Sequence, residues 1–397
     1  MNERRIKGLK LNKRLIFGTK FFIELKSINA VIQLFYLSRG LDLSQIVYLS
    51  LVWTSIVFLF DIPSSFLADK FGRKKLIIFG IFLTSLSTFL LFFANSFPYF
   101  VLNYIIGAIG YSFFIGADHA ILYDSLKEVG EESGANRVAG KYFSSQSLPK
   151  IFMPLLGSFI ARSLLPREFL ILIIIDFIGT IISIILAGFM TEPKVEKVKT
   201  KKMGLFREGF KLIKSDNVLL KFALNKIVIF QAGFVYWRIY QVLLKNAGMP
   251  VVYLGLVYTV FQTILFLMFW NTEKVQNKLG KINFVIYPQI LGFIAILASL
   301  LTTNLIVLFT ACVVLLIVGT IRDPFFLSQM QAKIPSFNRA TATSTLNTIK
   351  NISDVPLLIL VGLLAKININ YVLIISAVLF LIPLIFLKIK KEELVVN

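Results

Sequence analysis

Long apolar runs separated by short polar connections repeat along the whole chain. A helix needs roughly 20 mainly apolar residues to cross a bilayer, and about 12 runs reach that length. They lie near residues 15–37, 43–66, 76–95, 99–126, 140–165 and 168–190, and then near 217–244, 251–271, 282–302, 305–332, 340–365 and 370–387. The pattern therefore predicts an all-α membrane protein with about 12 transmembrane helices.

The basic residues in the connections predict which side of the membrane each connection faces, because cytoplasmic connections are enriched in Lys and Arg. With both termini in the cytoplasm, that side holds 29 Lys and Arg residues and the opposite side holds five. We therefore expect a multi-pass protein of the cell (plasma or inner) membrane. The asymmetry accounts for the net charge of +21, so nucleic-acid binding is not expected. A composition that is 57% hydrophobic and 16% charged agrees with this class.

The connector between the second and third runs has a distinctive pattern. It reads Ile62-Pro63-Ser64-Ser65-Phe66-Leu67-Ala68-Asp69-Lys70-Phe71-Gly72-Arg73-Lys74-Lys75. A reduced copy, Asn277-Lys278-Leu279-Gly280-Lys281, follows 208 residues later. This repeat predicts two pseudo-symmetric six-helix halves, residues 1–190 and 217–397, joined by a basic cytoplasmic linker at 191–216. Within the linker, residues 203–213 are expected to form a short helix on the membrane surface.

The connector resembles the signature loop of the major facilitator superfamily, G-x-x-x-D-x-x-G-R-[KR]-[KR], with Ser65 in place of the first glycine. Three stretches are similar to patterns of a bacterial 12-helix subgroup: Asp61-Ile62-Pro63-Ser64-Ser65 to E-x-P-T-G, Gly116-Ala117-Asp118-His119-Ala120-Ile121-Leu122-Tyr123-Asp124-Ser125-Leu126 to G-x-D-x-A-L-x-Y-D-x-L, and Arg339-Ala340-Thr341 to R-A-T. The resemblance implies a fold in which helices one, four, seven and ten line a central cavity and helices three, six, nine and twelve pack outside.

Charged residues inside the predicted spans follow the same plan. A charge at bilayer depth costs about 2.5 to 3.5 kcal/mol, so a helix that carries one is expected to face protein or water. Spans one, four, seven and ten carry most of these charges, spans three, nine and twelve carry none, and Asp176 in span six is a departure. The basic residues are Lys20, Lys26, Lys150, Lys221, Lys226, Arg238, Arg322 and Lys350, and the acidic ones are Glu24, Asp61, Asp118, Asp124, Asp176, Asp323 and Asp354.

A cytoplasmic gate is the first candidate site, and its predicted members are Asp69, Gly72, Arg73 and Asp124. The resemblance implies that the signature arginine has an acidic partner at the inner end of helix four, which is where Asp124 falls. Such an ion pair would form when the inner side closes and break when it opens. The alternative is a static pair that serves packing.

A polar ring that lines the cavity or couples transport to protons is the second candidate site. Its predicted members are Glu24, Lys26, Asp118, Lys150, Arg238, Arg322, Asp323, Lys350 and Asp354. A carboxylate in a partly dry cavity can exchange protons near neutral pH, so Glu24 and Asp118 are the coupling candidates. His119, the single histidine, could titrate as well, although such a residue is more often structural. The alternative for the whole ring is a set of satisfied interhelical pairs without substrate contact.

Secondary active transport by alternating access is the function that these features predict. Catalysis is not expected, because one His and one Cys cannot form the usual metal sets and no G-x-x-x-x-G-K-[ST] run occurs. No cofactor is expected; the partners would be a small-molecule substrate, protons and the lipid bilayer, and the protein is expected to be a monomer. Met153-Pro154-Leu155-Leu156-Gly157-Ser158 keeps two positions of the family's antiporter pattern G-P-x-x-G-G. Proton-coupled efflux of small amphipathic molecules is the first expectation, with uptake of a small polar or anionic solute, or solute sensing without transport, as alternatives.

Overall fold

The computed structural model describes residues 3–131, 135–194, 210–211, 213–270, 272–334 and 339–394, and no β-strand occurs in this part of the chain. The first half forms α1 (Glu3–Ile23), α2 (Ile32–Ser38), α3 (Leu43–Phe71), α4 (Arg73–Leu90), α5 (Phe97–Phe114), α6 (Ala117–Glu128), α7 (Ala135–Ile160) and α8 (Pro166–Gly188). The second half forms α9 (Asn217–Trp237), α10 (Tyr240–Asn246), α11 (Val252–Trp270), α12 (Thr272–Leu279), α13 (Lys281–Leu301), α14 (Leu305–Thr320), α15 (Asp323–Lys333), α16 (Arg339–Ile367) and α17 (Ile369–Ile385). The surface helix predicted at 203–213 falls largely outside the described residues.

Each predicted apolar run coincides with one of these helices or with two consecutive ones. Among the described residues, 8 stretches are long and apolar enough to cross a membrane on their own, and they match predicted spans two, four and six to eleven. The other four have identifiable reasons for falling short. The first run is divided after Ile23, α4 begins with three basic residues, α7 contains Lys150 and other polar residues, and α17 has only 17 residues.

Helix breaks occur within the first, fourth, seventh and tenth predicted spans. The first break lies between α1 and α2, where Ser27–Ala30 form a single 3₁₀ turn. The others lie at Ile115–Gly116, Arg238–Ile239 and Ile321–Arg322, between consecutive helices of one span. These are the spans that hold most of the intramembrane charges. Because a break frees backbone N–H and C=O groups, it is tolerated at membrane depth only where protein or water satisfies them.

Small residues allow α4 and α5 to pack closely. A Cβ atom placed on Gly80 would lie 2.8 Å from the carbonyl oxygen of Gly110, and one on Gly110 would lie 2.7 Å from the carbonyl oxygen of Gly80. A Cβ atom on Gly107 would meet the Ser87 hydroxyl at 2.8 Å. Helices in lipid associate through such close backbone approach, since apolar side chains gain little by leaving lipid for protein. This packing fixes the position of α6, which follows α5 directly and bears Asp118 and Asp124.

The chain divides into two compact units. One consists of residues 1–41, 49–198 and 250–259, and the other of residues 42–48, 199–249 and 260–397. The exact boundaries predicted from the sequence, at residues 190 and 217, stay a prediction.

Candidate functional site

The signature connector forms the junction between α3 and α4 in the first unit. Gly72 adopts a positive φ of 97°, which a residue with a side chain rarely adopts, and so permits the turn. The first turn of α4 is capped by the Glu192 carboxylate, which accepts hydrogen bonds from the backbone N–H groups of Arg73 and Lys74, both at 2.7 Å. A carboxylate at this position satisfies free helix N–H groups and complements the positive end of the helix dipole. Glu192 was not anticipated as a site residue, although it lies in the Thr191-Glu192-Pro193 stretch that opens the predicted linker.

Arg73 and Asp124, two of the three charged members of the predicted gate, form an ion pair. Arg73 Nη1 also donates a hydrogen bond to the backbone carbonyl of Ala120, at 2.8 Å, one turn before Asp124 on α6. The structure thus brings Arg73, Gly72 and Asp124 together. The side chain of Asp69 lies outside the described part of the chain, so its predicted role in the gate stays a prediction.

The N-terminal turns of α1 extend this network of charges. Arg5 forms a bidentate contact with Glu128, with Nε at 2.6 Å and Nη2 at 3.0 Å from the two carboxylate oxygens. Arg5 Nη2 also donates to the backbone carbonyl of Glu192 at 3.1 Å. The hydrogen bond from Arg5 lowers the pKa of Glu128 below its usual value of 4.5. Hydrogen bonds from Lys13 and Lys10 likewise lower the pKa of Glu131. The N-terminal turns of α1 are therefore bound to the C-terminal end of α6 and the residues that follow it.

A chain of four alternating charges lies deeper in the first unit. Lys20 on α1 is 3.8 Å from the Asp118 carboxylate and 3.3 Å from that of Glu24. The second oxygen of Glu24 is 3.4 Å from the Lys150 ammonium on α7. The order along the cluster is Asp118, Lys20, Glu24 and Lys150, so negative and positive groups alternate. We call these residues the four-charge cluster.

The two carboxylates of the four-charge cluster have different surroundings. Asp118 is fully buried and accepts hydrogen bonds from the Tyr142 hydroxyl and from the backbone N–H groups of Gly116 at 3.0 Å and His119 at 2.7 Å. The Glu24 side chain is 21% exposed, and the partners described for it are the two lysine ammonium groups. Asp118 is thus held by neutral donors as well as by a charge, whereas Glu24 can reach water.

Two members of this environment were not selected from the sequence. Lys20 was recognised as an intramembrane charge but was not chosen as a site residue, although its i, i+4 spacing from Glu24 was a usable signal. Tyr142 was missed because a single tyrosine in a predicted span gives no sequence signal of the carboxylate that it contacts. Lys26, which was predicted to join the polar ring, takes part in no ion pair in the part of the chain that the structure describes. It lies at the start of the 3₁₀ turn, within electrostatic range of Asp176.

Asp176, the charged residue that departed from the predicted plan, supports the break in the first span. It is buried on α8 and accepts hydrogen bonds from Ser27 N at 2.6 Å, Ser27 Oγ at 2.7 Å and Ile28 N at 3.4 Å. The N–H groups left free at the start of the 3₁₀ turn are therefore satisfied by a carboxylate from another helix. The acidic residue on α8 is accommodated here because it accepts hydrogen bonds from Ser27 and from the backbone of the 3₁₀ turn.

A second polar cluster lies in the second unit, where α9 contacts α16. The Lys350 ammonium is 3.0 Å from Asp354 Oδ2, and Gln231 Nε2 donates to Asp354 Oδ1 at 2.9 Å. Lys350 and Asp354, which are spaced i, i+4 on α16, therefore form an ion pair. Lys350 also lies over the rings of Phe230 and Phe234 on α9.

Arg322 and Asp323 are neighbours in sequence but contact different groups. Arg322 is buried and donates to Asn225 Oδ1 at 3.0 Å and to the backbone carbonyl of Val285 at 3.2 Å. Asp323 begins α15 and lies 3.6 Å from the Lys226 ammonium. Arg322 therefore satisfies polar groups of α9 and α13 at the break in the tenth span, while Asp323 pairs with the adjacent residue of α9. The predicted ring as one assembly of both halves stays a prediction.

This chain is similar to known proteins in sequence and in fold. The family model described as Major Facilitator Superfamily matches residues 16–355. An uncharacterized MFS-type transporter of Methanocaldococcus jannaschii is 24% identical over 303 residues, which make up 74% of this chain and 74% of that protein. The solved structure of the nucleoside transporter NupG has a TM-score of 0.74 at 12% identity and covers 96% of this chain and 100% of its own. A bacterial homologue of the human lysosomal transporter Spinster, in an inward-facing and unoccupied conformation, has a TM-score of 0.72 at 16% identity, with 96% of each chain covered. These structures share the fold, and the predicted all-α membrane fold is confirmed.

Proposed function

This chain belongs to the Major Facilitator Superfamily, and from that membership we propose that it is a secondary active transporter that works by alternating access and is coupled to protons. Family membership places it among multi-pass membrane transporters of small molecules. Proton coupling, the direction of transport and the substrate class are the parts of this proposal that need experiments. The cytoplasmic position of both termini rests on the 29 to five distribution of Lys and Arg.

The observation that supports proton coupling is the four-charge cluster. The Glu24 carboxylate lies between two ammonium groups, that of Lys20 on α1, which also faces Asp118, and that of Lys150 on α7. Protonation of Glu24 would remove its attraction for both lysines and so change the ion pairs that connect α1, α6 and α7. A proton that binds one conformation better than another shifts the equilibrium between them by that difference in affinity. Glu24 is the proton acceptor that we favour, because it is more accessible than Asp118.

The Arg73–Asp124 pair is the proposed cytoplasmic gate. We expect Arg73→Ala to slow transport while expression and membrane insertion stay normal, because the ion pair would no longer stabilise the closed inner side. Lys75→Ala is the matched control, since Lys75 lies in the same turn but is exposed. Wild-type rates from a well-inserted Arg73→Ala protein would contradict a gating role and leave the pair a structural one.

Efflux of small amphipathic molecules is the proposed direction, and uptake of a polar or anionic solute is the second candidate. Inside-out vesicles with a pH gradient distinguish them. Three classes of solute are added to wild-type vesicles in turn: lipophilic cations, neutral amphiphiles and organic anions. We expect one class to cause protons to leave the vesicles in exchange for the solute. Glu24→Gln and Asp118→Asn should abolish that release, whereas Glu392→Gln, which alters an exposed carboxylate, should preserve it.

If no class of solute causes protons to leave although the protein is present, efflux is wrong. Labelled polar solutes, including nucleosides because a protein of similar fold is named a nucleoside transporter, are then offered to right-side-out vesicles. Accumulation that depends on the pH gradient would establish uptake. Solute binding without flux in either orientation would identify a sensor instead of a transporter.

A further inference from the structure

A cleft lies between α13 and α17 in the second unit, at the ends of these helices that the sequence predicts to be cytoplasmic. Its volume is about 180 Å³, and its wall consists of Val285, Ile286, Gln289, Pro383, Leu384, Lys388 and Ile389. Farther along the two helices there is no such space, since a Cβ atom on Gly292 would lie 2.3 Å from the Phe380 ring. We call this space the α13–α17 cleft.

Hydrogen bonds to Asn225, a buried residue of α9, fix the wall of the α13–α17 cleft. Asn225 Nδ2 donates to the backbone carbonyl of Leu387 at 3.0 Å. Asn225 Oδ1 accepts from Gln289 Nε2 at 3.2 Å and from Arg322 Nη1 at 3.0 Å. Because Lys388 directly follows Leu387, this network also holds the lysine at the edge of the cleft.

Two positive charges lie at the cleft. The Lys388 side chain lines it and is exposed, and among the residues that the structure describes it forms no ion pair. Arg322 is buried behind the wall, where its Nη1 donates to the backbone carbonyl of Val285 at 3.2 Å. The described partners of this guanidinium are neutral oxygen atoms.

Carboxylates near the cleft do not balance its basic residues. Glu393 forms an ion pair with Lys221 at 2.7 Å, and Asp323 lies 3.6 Å from the Lys226 ammonium. Glu392 is exposed, but residues 388–393 hold three lysines and two glutamates. Positive charge therefore exceeds negative charge here even when every one of these carboxylates is counted.

The surface beside the cleft is apolar. Ile290 and Leu291 on α13 are exposed, and so is Phe386, which directly follows α17. These helices form predicted spans nine and twelve, which carry no charge and can therefore face lipid. A ligand with an anionic group and apolar chains would match both the charge at the cleft and the surface next to it.

We propose that the α13–α17 cleft binds an anionic phospholipid of the cytoplasmic leaflet. The phosphate would accept charge-assisted hydrogen bonds from Lys388, as in other basic pockets between membrane helices. The cleft has about six times the volume of one water in the liquid, so it would hold the glycerol region, and the acyl chains would lie along the apolar surface outside. A free phosphate would gain only the charged contact, whereas a lipid gains both contacts.

The test measures binding of dioleoylphosphatidylglycerol to the purified full-length protein in detergent by native mass spectrometry. Dioleoylphosphatidylcholine is the matched lipid, because it has the same chains and no net charge. We expect one phosphatidylglycerol molecule to bind about fivefold or more tightly than phosphatidylcholine. Glycerophosphate, which has the phosphate and lacks the chains, should not displace it at the same concentration. Equal affinities for the two lipids, or displacement by glycerophosphate, would overturn the proposal.

Charge variants locate the phosphate. Lys388→Gln should weaken phosphatidylglycerol binding about fivefold and leave phosphatidylcholine binding unchanged, and Lys388→Arg, which retains the charge, should preserve most of the affinity. Lys391→Gln is the matched control, because it removes the same charge from an exposed position of the same tail that does not line the cleft. Equal losses in Lys388→Gln and Lys391→Gln would show general attraction to a basic surface and refute the site. Unchanged binding in Lys388→Gln would refute it as well.

A larger side chain tests the cleft without changing its charge. Leu384→Phe narrows the cleft, so it should weaken phosphatidylglycerol binding about fivefold or more. Val378→Phe is the matched control, because it enlarges an exposed residue of the same helix that does not line the cleft. Equal affinities in the two variants would exclude the cleft as the binding site.

This inference is independent of the proposed transport function. Lipid binding in detergent requires neither a pH gradient nor flux of a solute. A protein that transports solutes but does not discriminate between the two lipids would keep the transport function and lose the lipid site. A protein that binds phosphatidylglycerol with the expected selectivity but shows no flux would keep the lipid site and lose the transport function.

Discussion

The Tyr142 hydroxyl donates a hydrogen bond to the buried Asp118 carboxylate, and this contact should contribute to the stability of the protein. Tyr142→Phe removes the hydroxyl and keeps the ring, so we expect a loss of stability of about 1 to 3 kcal/mol from the lost donor, with little change in packing. Thermal unfolding of the purified protein measures this loss. Tyr123→Phe, at an exposed position on α6, is the control.

A double-mutant cycle separates this bond from general damage. In an Asp118→Asn background, Tyr142→Phe should reduce stability less than it does in the wild type, because the charged hydrogen-bond acceptor is already absent. Equal costs in the two backgrounds would show that Tyr142 stabilises α7 independently of Asp118.

Within the candidate site, the sequence drew attention to Gly72 and to charged residues inside the predicted spans. Glu24, Asp118, Lys150, Lys350 and Asp354 stood out because a charge inside an apolar run is costly and so needs a partner. Tyr142 and Glu192 could not be identified in this way. The Tyr142 hydroxyl lies within a predicted span and the Glu192 carboxylate lies just after one, so neither has the large insertion cost of a charge inside the membrane. Their roles depend on contacts with other helices, which only the fold brings close.

At the scale of helices, the breaks in spans one, four, seven and ten are the feature that hydropathy did not predict. Apolar residues continue through Ile115–Gly116, so the fourth run reads as one long helix. The break exists because Gly116 adopts a φ of +88° and because the Asp118 side chain accepts a hydrogen bond from its N–H. Both causes are local conformations without a hydrophobic signal.

Gly116→Ala tests the break between α5 and α6. A Cβ atom at Gly116 would meet no atom within 4 Å, so any loss of stability reports backbone conformation and not a clash. We expect a cost of about 1 to 3 kcal/mol, measured by thermal unfolding, because alanine is strained at this φ. Gly188→Ala is the matched control, since its Cβ atom also meets nothing and its φ is not positive. Equal effects at the two glycines would contradict the conformational explanation.

The contact of α1 with the C-terminal end of α6 should weaken in acid. The pKa values of Glu128 and Glu131 are lowered in the folded protein. The largest cause is a side-chain hydrogen bond, from Arg5 to Glu128 and from Lys13 to Glu131. A carboxyl group whose pKa is lowered by folding stabilises the folded protein fully at pH values above its usual pKa of 4.5. This stabilisation is lost as the pH falls through the lowered pKa of the folded state. Since both groups are near solvent, we expect each to contribute about 0.2 to 1 kcal/mol.

Thermal unfolding across this pH range measures the effect. The unfolding temperature of Glu128→Gln should fall less steeply with acid than that of the wild type, because glutamine does not titrate. Glu392→Gln, which changes an exposed carboxylate, should follow the wild-type curve. Parallel curves for Glu128→Gln and the wild type would show that the Arg5 contact does not affect stability.

The distribution of Lys and Arg predicts how the chain is oriented in the membrane. Labelling of introduced cysteines can test this orientation, because the chain has a single native cysteine and that residue is buried. Cys312 is fully buried, so it should not react with a membrane-impermeant maleimide. Single cysteines are introduced at two exposed basic positions of the first unit, Lys194 on the predicted cytoplasmic side and Arg162 on the opposite side. In intact cells we expect Arg162→Cys to be labelled and Lys194→Cys to be labelled only after permeabilisation, because positive connections are retained in the cytoplasm. Labelling of Lys194→Cys in intact cells would reverse the orientation. The Arg73–Asp124 pair would then close the external side, and the two vesicle orientations proposed above would exchange their meanings.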